Sequence, residues 1–557
     1  QAKDNGRAKA AGLVNAVLRQ LSRNKVHLPR IPDQDALHSL SIRYSHPKWL
    51  VKRLQAILGP ETEACLAADN APAPLTIQVN PLKAAAEELT AELEASGVIV
   101  RPHPWVSGCL ELDHVGDLTA LEPFRMGKFL VQDPAARLVS QIAGVEPGMR
   151  VLDVCAAPGG KTSQLAAALQ GQGLLLANEF VAARAEILRQ NLERMGVTNA
   201  VITNEDTARL AAAMPGQFDR VLVDAPCSGE GMFRKEAVAA AQHNNALVAH
   251  CAELGAEILE NAAALLAPGG VLVYSTCTFA PAEDEEQIAA FLAKHPAFTL
   301  CDLSGCGFGR PGEANRAPDY PDFRAGYTRR IWPADGGEGH FMARLVKAGT
   351  PRVLPAEGEY TAEEQLWLAA AEAAGKKAKG KGGKPAKTPD ARSARRENSR
   401  ALREAVQGRS ARSRDAGAGE ATPAQSLAAW QEFARQYFPA LAQRPAVVHG
   451  GGVLLPVAFP QTGLHVLRAG VFVGSVQKGR FVPEHHLFTA FGNLCTNCEQ
   501  LTFADCRCTE YLSGREVEAR TAADGWCCVT VDGWPLGGGK VSGGRVKNHY
   551  PKALRLL

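Results

Sequence analysis

Between residues 133 and 347, short apolar runs alternate with segments of helical period, and this alternation constrains the fold more than any other feature of the chain. A strand covered on both faces reads as an unbroken run of Val, Leu and Ile, and parallel neighbours need crossovers long enough to hold a helix. Strand candidates are Arg150 to Val154, Gly173 to Ala177, Ala200 to Thr203, Arg220 to Val223, Gly270 to Tyr274 and His340 to Val346. Helices are predicted at Lys161 to Gln170, Ala182 to Met195 and Leu247 to Leu266, the last closed by Pro268-Gly269-Gly270. The expected fold class is α/β, a Rossmann-like doubly wound sheet.

Such a sheet binds ligands beyond the carboxyl ends of its strands. At the first strand end, Asp153-Val-Cys155-Ala156-Ala157-Pro158-Gly159-Gly160-Lys161 forms a turn whose glycines let the backbone approach a ligand at a helix N-terminus. Gly160-Lys161-Thr162 imitates the end of a phosphate loop, but that pattern needs a glycine where Cys155 stands, so triphosphate binding is disfavoured. Glu179 ends the second strand, where an acid can accept hydrogen bonds from ribose hydroxyls; a solvated strand-end carboxylate is the plainer reading. Asp206 follows the third strand, placed either to hold an adenine amino group or simply as a polar loop residue. Asp224-Ala-Pro-Cys227-Ser-Gly ends the fourth strand and Ser275-Thr-Cys277-Thr the fifth, so the fold brings two thiols and a carboxylate into one crevice.

Those groups suit methylation of cytosine at carbon 5. That carbon is a poor nucleophile until a thiolate adds to carbon 6, and a second thiol is useful when release is assisted as well. Asp224 can hydrogen-bond the base edge near N3, and Lys161 can favour the thiolate or the charged adduct.

At 557 residues the chain exceeds one core, and 46% hydrophobic content supports several. No run of about 18 apolar residues occurs, and Gln1-Ala-Lys-Asp-Asn is neither a signal peptide nor an initiator. The expectation is a soluble, cytoplasmic protein with a truncated N-terminus and no membrane partner. Fourteen cysteines without a repeated framework read as reduced thiols. Cys495, Cys498, Cys506 and Cys508 lie close enough in sequence for zinc, but their irregular spacing favours unliganded thiols, and no metal is expected. Formal charge is only +3, although residues 376 to 414 hold 14 Lys and Arg against three acids. That segment reads as a tether or as a patch that attracts RNA. Glu283-Asp-Glu-Glu286 reads as the acidic first turn of a helix.

Val154 to Thr162, Asp224 to Lys235 and Tyr274-Ser-Thr-Cys-Thr-Phe-Ala280 resemble the bacterial ribosomal RNA cytosine-5 methyltransferases of the Nop/Sun family. The resemblance implies S-adenosylmethionine as methyl donor, held by Cys155 to Lys161, Glu179, Asp206 and Asp224. It also implies Cys277 as nucleophile and Cys227 as the residue of product release. Asp224 to Lys235, Arg329-Arg-Ile-Trp-Pro, Gly339-His-Phe-Met-Ala-Arg344 and, near the end, Gly543 to Pro551 resemble the RsmF type; Leu40 to Leu50 and Phe129 to Arg137 resemble the RsmB type. The implied substrate is RNA, most simply 16S rRNA or the small ribosomal subunit, and not DNA, whose methyltransferases take their nucleophile from a Pro-Cys motif. A transfer RNA cytosine, or a non-catalytic role in ribosome assembly, are the alternatives.

The expected organisation is a remnant of a NusB-like helical domain at 1–30, an RNA-binding α+β subdomain at 31–125 and the methyltransferase domain at 126–348. A basic disordered linker at 349–424 and a small, mostly β, PUA-like RNA-binding domain at 425–557 complete it. In the last of these, Lys540, Arg545, Lys547, His549 and Tyr550 suit phosphate contact and base stacking.

Overall fold

The computed structural model describes residues 10–24, 31, 35–235, 237–377, 421–449, 451–460 and 462–555. A ten-stranded mixed sheet forms the centre. Its strands, in chain order, are β1 (Arg150–Asp153), β2 (Leu174–Asn178), β3 (Ala200–Thr203), β4 (Phe218–Asp224) and β5 (Leu266–Thr276). There follow β6 (Phe298–Leu300), β7 (Arg310–Pro311), β8 (Arg329–Ile331), β9 (His340–Lys347) and β10 (Val466–Ala469). Across the sheet the order is β7-β8-β9-β5-β4-β1-β2-β3-β10, with β6 beside β9. The run β3-β2-β1-β4-β5 is parallel, and β9 returns antiparallel to β5.

Period-two alternation sorts the apolar side chains onto the two faces. Val151, Leu175, Ile202, Leu222 and Val273 pack in one core, while Leu152, Leu176, Val201, Val223 and Leu272 pack in the other. Full burial of each such side chain is worth roughly 1.5–3 kcal/mol, so both layers of helices are held to the sheet. The six strands expected from sequence are present, with ends shifted by a few residues. Pro268-Gly269-Gly270 is one difference: it does not separate helix from strand but lies within β5, where the pairing with β4 skips from Leu266 to Val271.

The helices Lys48–Leu58 and Thr62–Asn70 pack Leu50, Val51, Leu54 and Leu66 against Phe279 and Trp332, beside the end of β5. A four-stranded antiparallel sheet follows, built from Leu75–Val79, Ile99–Pro102, Cys109–Asp113 and Phe129–Val131. By contrast, the helix Ala11–Arg23 buries none of its side chains, and its apolar stripe of Leu13, Val14, Val17, Leu18 and Leu21 is exposed.

Two parts of the chain depart from the sequence reading. Residues 349–377 were expected in the linker, yet Arg352 pairs with Asp219 at 2.8 Å and the helix Ala362–Lys377 is tied to Arg150, the first residue of β1. There Glu364 binds Arg150 at 2.9 Å, and Trp367 lies under its guanidinium. The basic stretch from 378 to 414 lies outside the described residues. The C-terminal region holds a four-stranded and a five-stranded sheet, but its run at Val466–Ala469 joins neither. It forms β10, antiparallel to β3, and covers the open edge of the central sheet. Lys83 adds a bond to the Thr489 carbonyl at 2.5 Å and Cys508 one to Glu122 at 2.6 Å, so this region is anchored to both earlier ones.

Candidate active site

The carboxyl edge of the parallel strands opens into a cavity of about 830 Å³. Lys161, Asp224, Cys227, Ser228, Cys277 and His340 line it, with Pro158 and Arg184 on the side of the first turn. Parallel pairing sets Asp224 opposite Ser275, and Cys277 follows two residues later, just past the end of β5. Ser275 Oγ donates to Asp224 Oδ1 at 2.7 Å and Lys161 Nζ donates to Oδ2 at 2.7 Å. Burial alone would raise the Asp224 carboxyl, but the Lys161 cation and these hydrogen bonds hold it below its ordinary value. Burial likewise pulls Lys161 down, and Asp224 more than restores it. The pair therefore stays ionised inside the cavity.

The two thiols are in contact, with Cys227 Sγ 3.3 Å from Cys277 Sγ and accepting from the Cys277 backbone N–H at 3.4 Å. The hydrogen bond to Cys277 and burial push the Cys227 thiol well up, and charge repulsion between the two sulfurs adds to them. Cys277 is fixed through its backbone: its carbonyl accepts from Gly231 N–H at 2.9 Å. Gly231 and Gly339 cross so closely that a Cβ on Gly231 would stand 2.6 Å from Gly339 Cα, so no larger residue fits there.

Cys227 is fixed by an acid. Glu283 accepts from Ser228 N–H at 2.7 Å and from Ser228 Oγ at 2.6 Å, and burial pushes it up to about 7. The acidic turn expected at this point thus exists but is turned inward: Asp284 and Glu285 are fully buried and both pair with Arg330. Glu230, in the loop after Cys227, binds His243 at 2.8 Å and Arg53 from the helix Lys48–Leu58. Trp49 stacks on the same His243 at 4.2 Å.

On the other rim, the turn Cys155 to Gly160 is shaped by backbone. Ala156 N–H donates to Asn178 O at 2.8 Å, Arg184 donates to Ala157 O at 2.8 Å and Asn191 to Pro158 O at 2.9 Å. Gly159 takes φ 110° with Leu188 Cδ1 3.1 Å from where a Cβ would be, and no side chain caps the helix Gly160–Leu169 that it starts. The open first turn suits an anionic group such as an amino-acid carboxylate. Glu179 is buried at the end of β2, its Oε1 accepting from Val181 N–H at 2.8 Å and its Oε2 3.4 Å from Arg184. Asp206 is exposed and caps the helix Thr207–Ala213 through Ala208 N–H at 2.8 Å. Cys155, Glu179 and Asp206 do not line the large cavity; they lie along the rim beside it.

Sequence reasoning passed over His340, Ser275 and Glu283. A histidine opening an apolar run and an acid in an acidic turn carry no local sign of their neighbours; the strand register alone brings them in. Elsewhere, Cys508 faces Glu122, Cys506 is exposed, and no group of three metal-ligating side chains occurs among the described residues. Among the same residues no helix is long and apolar enough to cross a membrane. In the C-terminal sheet, Lys540 lies over Trp526 at 5.8 Å and Trp526 beside His549 at 4.5 Å, next to exposed Arg545 and Lys547. Tyr550, expected to stack on bases, is instead buried against Tyr511.

Comparison with known proteins agrees along the chain. Residues 141–346 match the 16S rRNA methyltransferase RsmB/F family and residues 46–119 its ferredoxin-like domain. Residues 432–491 match the first C-terminal domain of RsmF rRNA methyltransferases and residues 500–556 the RsmF PUA domain. The chain is 32% identical to ribosomal RNA small subunit methyltransferase B of Serratia proteamaculans, over 61% of this chain and 74% of that protein. It is 33% identical to the protein of that name from Pseudomonas putida, over 62% and 75%. Among solved structures, a methyltransferase homologue from Pyrococcus horikoshii superposes with a TM-score of 0.51 at 27% identity, covering 56% of this chain and 99% of that one.

Proposed function

The chain belongs to the RsmB/F family of S-adenosylmethionine-dependent 16S rRNA methyltransferases, and on that premise we propose that it methylates carbon 5 of a cytosine in small-subunit rRNA through a covalent Cys277 adduct. The observation that carries this reading is the thiol pair at 3.3 Å beside the Lys161–Asp224 ion pair. Neither methylation of an exocyclic atom nor simple RNA binding has a use for two touching thiols.

Cys277, as thiolate, adds to carbon 6, and the displaced electron pair spreads over carbon 5, N3 and O2. Asp224, kept ionised by Lys161, accepts from the exocyclic amino group, while the Lys161 cation offsets charge gathering in the ring. S-adenosylmethionine supplies the electrophilic methyl group that carbon 5 takes. The turn from Cys155 to Lys161 would hold the donor, with Glu179 to bind its ribose and Asp206 its adenine. Once Cys277 is a thioether it carries no charge and no longer holds the Cys227 proton in a thiol–thiol hydrogen bond, which leaves burial as the main force against ionisation of Cys227. Cys227 gives its proton to solvent and as thiolate takes the carbon 5 proton, the electron pair of that C–H bond re-forms the double bond between carbons 5 and 6, and Cys277 leaves as thiolate.

Lys540, Arg545, Lys547 and His549 around Trp526 present a basic, partly aromatic face for rRNA outside the cavity. The deciding experiment incubates the purified chain with methyl-labelled S-adenosylmethionine and either small-subunit rRNA or assembled small subunits, then maps the modified nucleotides. We expect label at carbon 5 of a cytosine; label on another atom, or none on either RNA, overturns the proposal.

A further inference from the structure

His340 stands at the start of β9, one position beyond the last pair with β5, Phe341 and Thr276, and Cys277 leaves the end of β5 at the same point. Side chains alternate along a strand, so His340 shares the face of Met342, which pairs with Ser275, itself opposite Asp224, and His340, Cys277 and Asp224 all line the cavity. His340 lines the cavity, is only 5% exposed, and neither ring nitrogen has a partner. Its charged neighbours are all engaged. Lys161 is bonded to Asp224, Lys235 to Glu338 at 3.1 Å, and Asp133 accepts from the N–H groups of Ala135 and Glu338 at 2.8 and 2.9 Å. A buried polar group without a partner costs about 1–3 kcal/mol, and here both nitrogens of one ring bear that cost beside the reactive thiols.

Strand order says which part of a base His340 meets. Across the sheet the order is β9, β5, β4, β1, which puts Cys277 between His340 and Asp224, with the turn after β1 beyond Asp224. A cytosine with carbon 6 over Cys277 and carbon 5 toward that turn has its amino group on the β4 side. Its carbon 2 carbonyl then faces β9. Resting on the reading of the site as a cytosine carbon 5 methyltransferase, we propose that His340 contacts the target base, its ring N–H donating to the O2 oxygen of cytosine. O2 takes part of the charge released when Cys277 adds to carbon 6, so the bond strengthens as the adduct forms. Burial, with the Lys161 cation next, pulls the imidazole down to about 4, so the ring carries one N–H and no charge in competition with Lys161 for Asp224.

The test uses the full chain and small-subunit rRNA transcribed with cytidine or wholly with 2-thiocytidine, naked or reconstituted into subunits, whichever the wild-type protein methylates. Sulfur in place of O2 is a weaker acceptor, so wild-type kcat/KM should fall on the thio substrate. His340→Phe should lose about 10²- to 10³-fold on ordinary RNA, the scale of one donor aimed at developing charge, and lose nothing further on the thio substrate. His340→Gln, which keeps an N–H, should recover part of the rate, while S-adenosylmethionine affinity should match wild type in both variants and neither thermal midpoint should fall below it. His340→Phe within twofold of wild type, or an equal thio penalty in both proteins, overturns the inference. No transfer by the wild-type protein to any cytosine would instead overturn the parent reading, and this inference with it.

Discussion

The two rims of the central cavity are built differently. Around Cys155 to Gly160 the work is done by backbone: carbonyls tied down by Arg184 and Asn191, a glycine at φ 110°, and an uncapped helix start. Across the cavity, at the ends of β4, β5 and β9, side chains do it: a half-buried carboxylate paired with Lys161, two touching thiols and a histidine without partners. The difference follows from what each rim must do. A donor that every turnover exchanges can be held by shape and fixed dipoles, whereas bond making to a base needs groups that change charge. Binding and chemistry should therefore be separable by substitution.

The largest effect tests that separation directly. Cys277→Ala should lower kcat by at least ~10⁴-fold and abolish any RNA adduct stable to denaturing gels, while calorimetry finds the donor bound as tightly as before. An active Cys277→Ala protein would transfer the nucleophile's role elsewhere. Cys227→Ala comes next, with a loss of about 10²- to 10⁴-fold, the range of a removed general base. Its signature is opposite in sign on the gel: adduct accumulates because carbon 6 stays bound to Cys277. If neither adduct nor product formed, Cys227 would serve attack rather than release.

On the backbone rim the prediction inverts. Gly159→Ala forces an L side chain to φ 110° with Leu188 Cδ1 3.1 Å away, a strain of roughly 1–3 kcal/mol. Donor affinity should drop by about tenfold, as 1.4 kcal/mol corresponds to one decade. kcat at saturating donor should stay within about twofold. A fall in kcat with unchanged affinity would mean that the rims are not independent.

The same division explains what could be read from sequence. The parallel strands and the glycine turn were legible because buried parallel strands are apolar runs and a strand-glycine-helix junction has few other uses. Asp224, Cys227 and Cys277 were legible as residue types at strand ends. What escaped was every relation set by register or by distant chain: His340 beside the end of β5, Glu283 under Ser228, the crossing of Gly231 with Gly339, and Val466–Ala469 closing the sheet edge from over 250 residues beyond β3. Tyr550 failed for the reverse reason, since an aromatic beside basic residues reads as a stacking platform until its burial is known.

The smallest effect concerns how the thiol rim is held. Glu283 is buried, accepts two hydrogen bonds from Ser228, and is pushed up to about 7 by its burial from an ordinary 4.5. A carboxyl with a raised folded-state value binds its proton more tightly folded than unfolded. Its contribution is therefore fully present below about 4.5, declines as pH rises and is lost by about 7. The sum over that window is at most about 3 kcal/mol, from 1.36 kcal/mol for each unit. Glu283→Gln cannot ionise, so the stability difference between wild type and variant, read from urea unfolding, should shift toward the variant as pH climbs from 4.5 to 7 and level off above. Methyl transfer should change by less than about threefold, because an amide oxygen still accepts one of the two Ser228 bonds. A pH-independent difference would show that Glu283 ionises in the folded protein much as it does in water, and that Cys227 is positioned by the backbone of its own loop rather than by the acid beneath it.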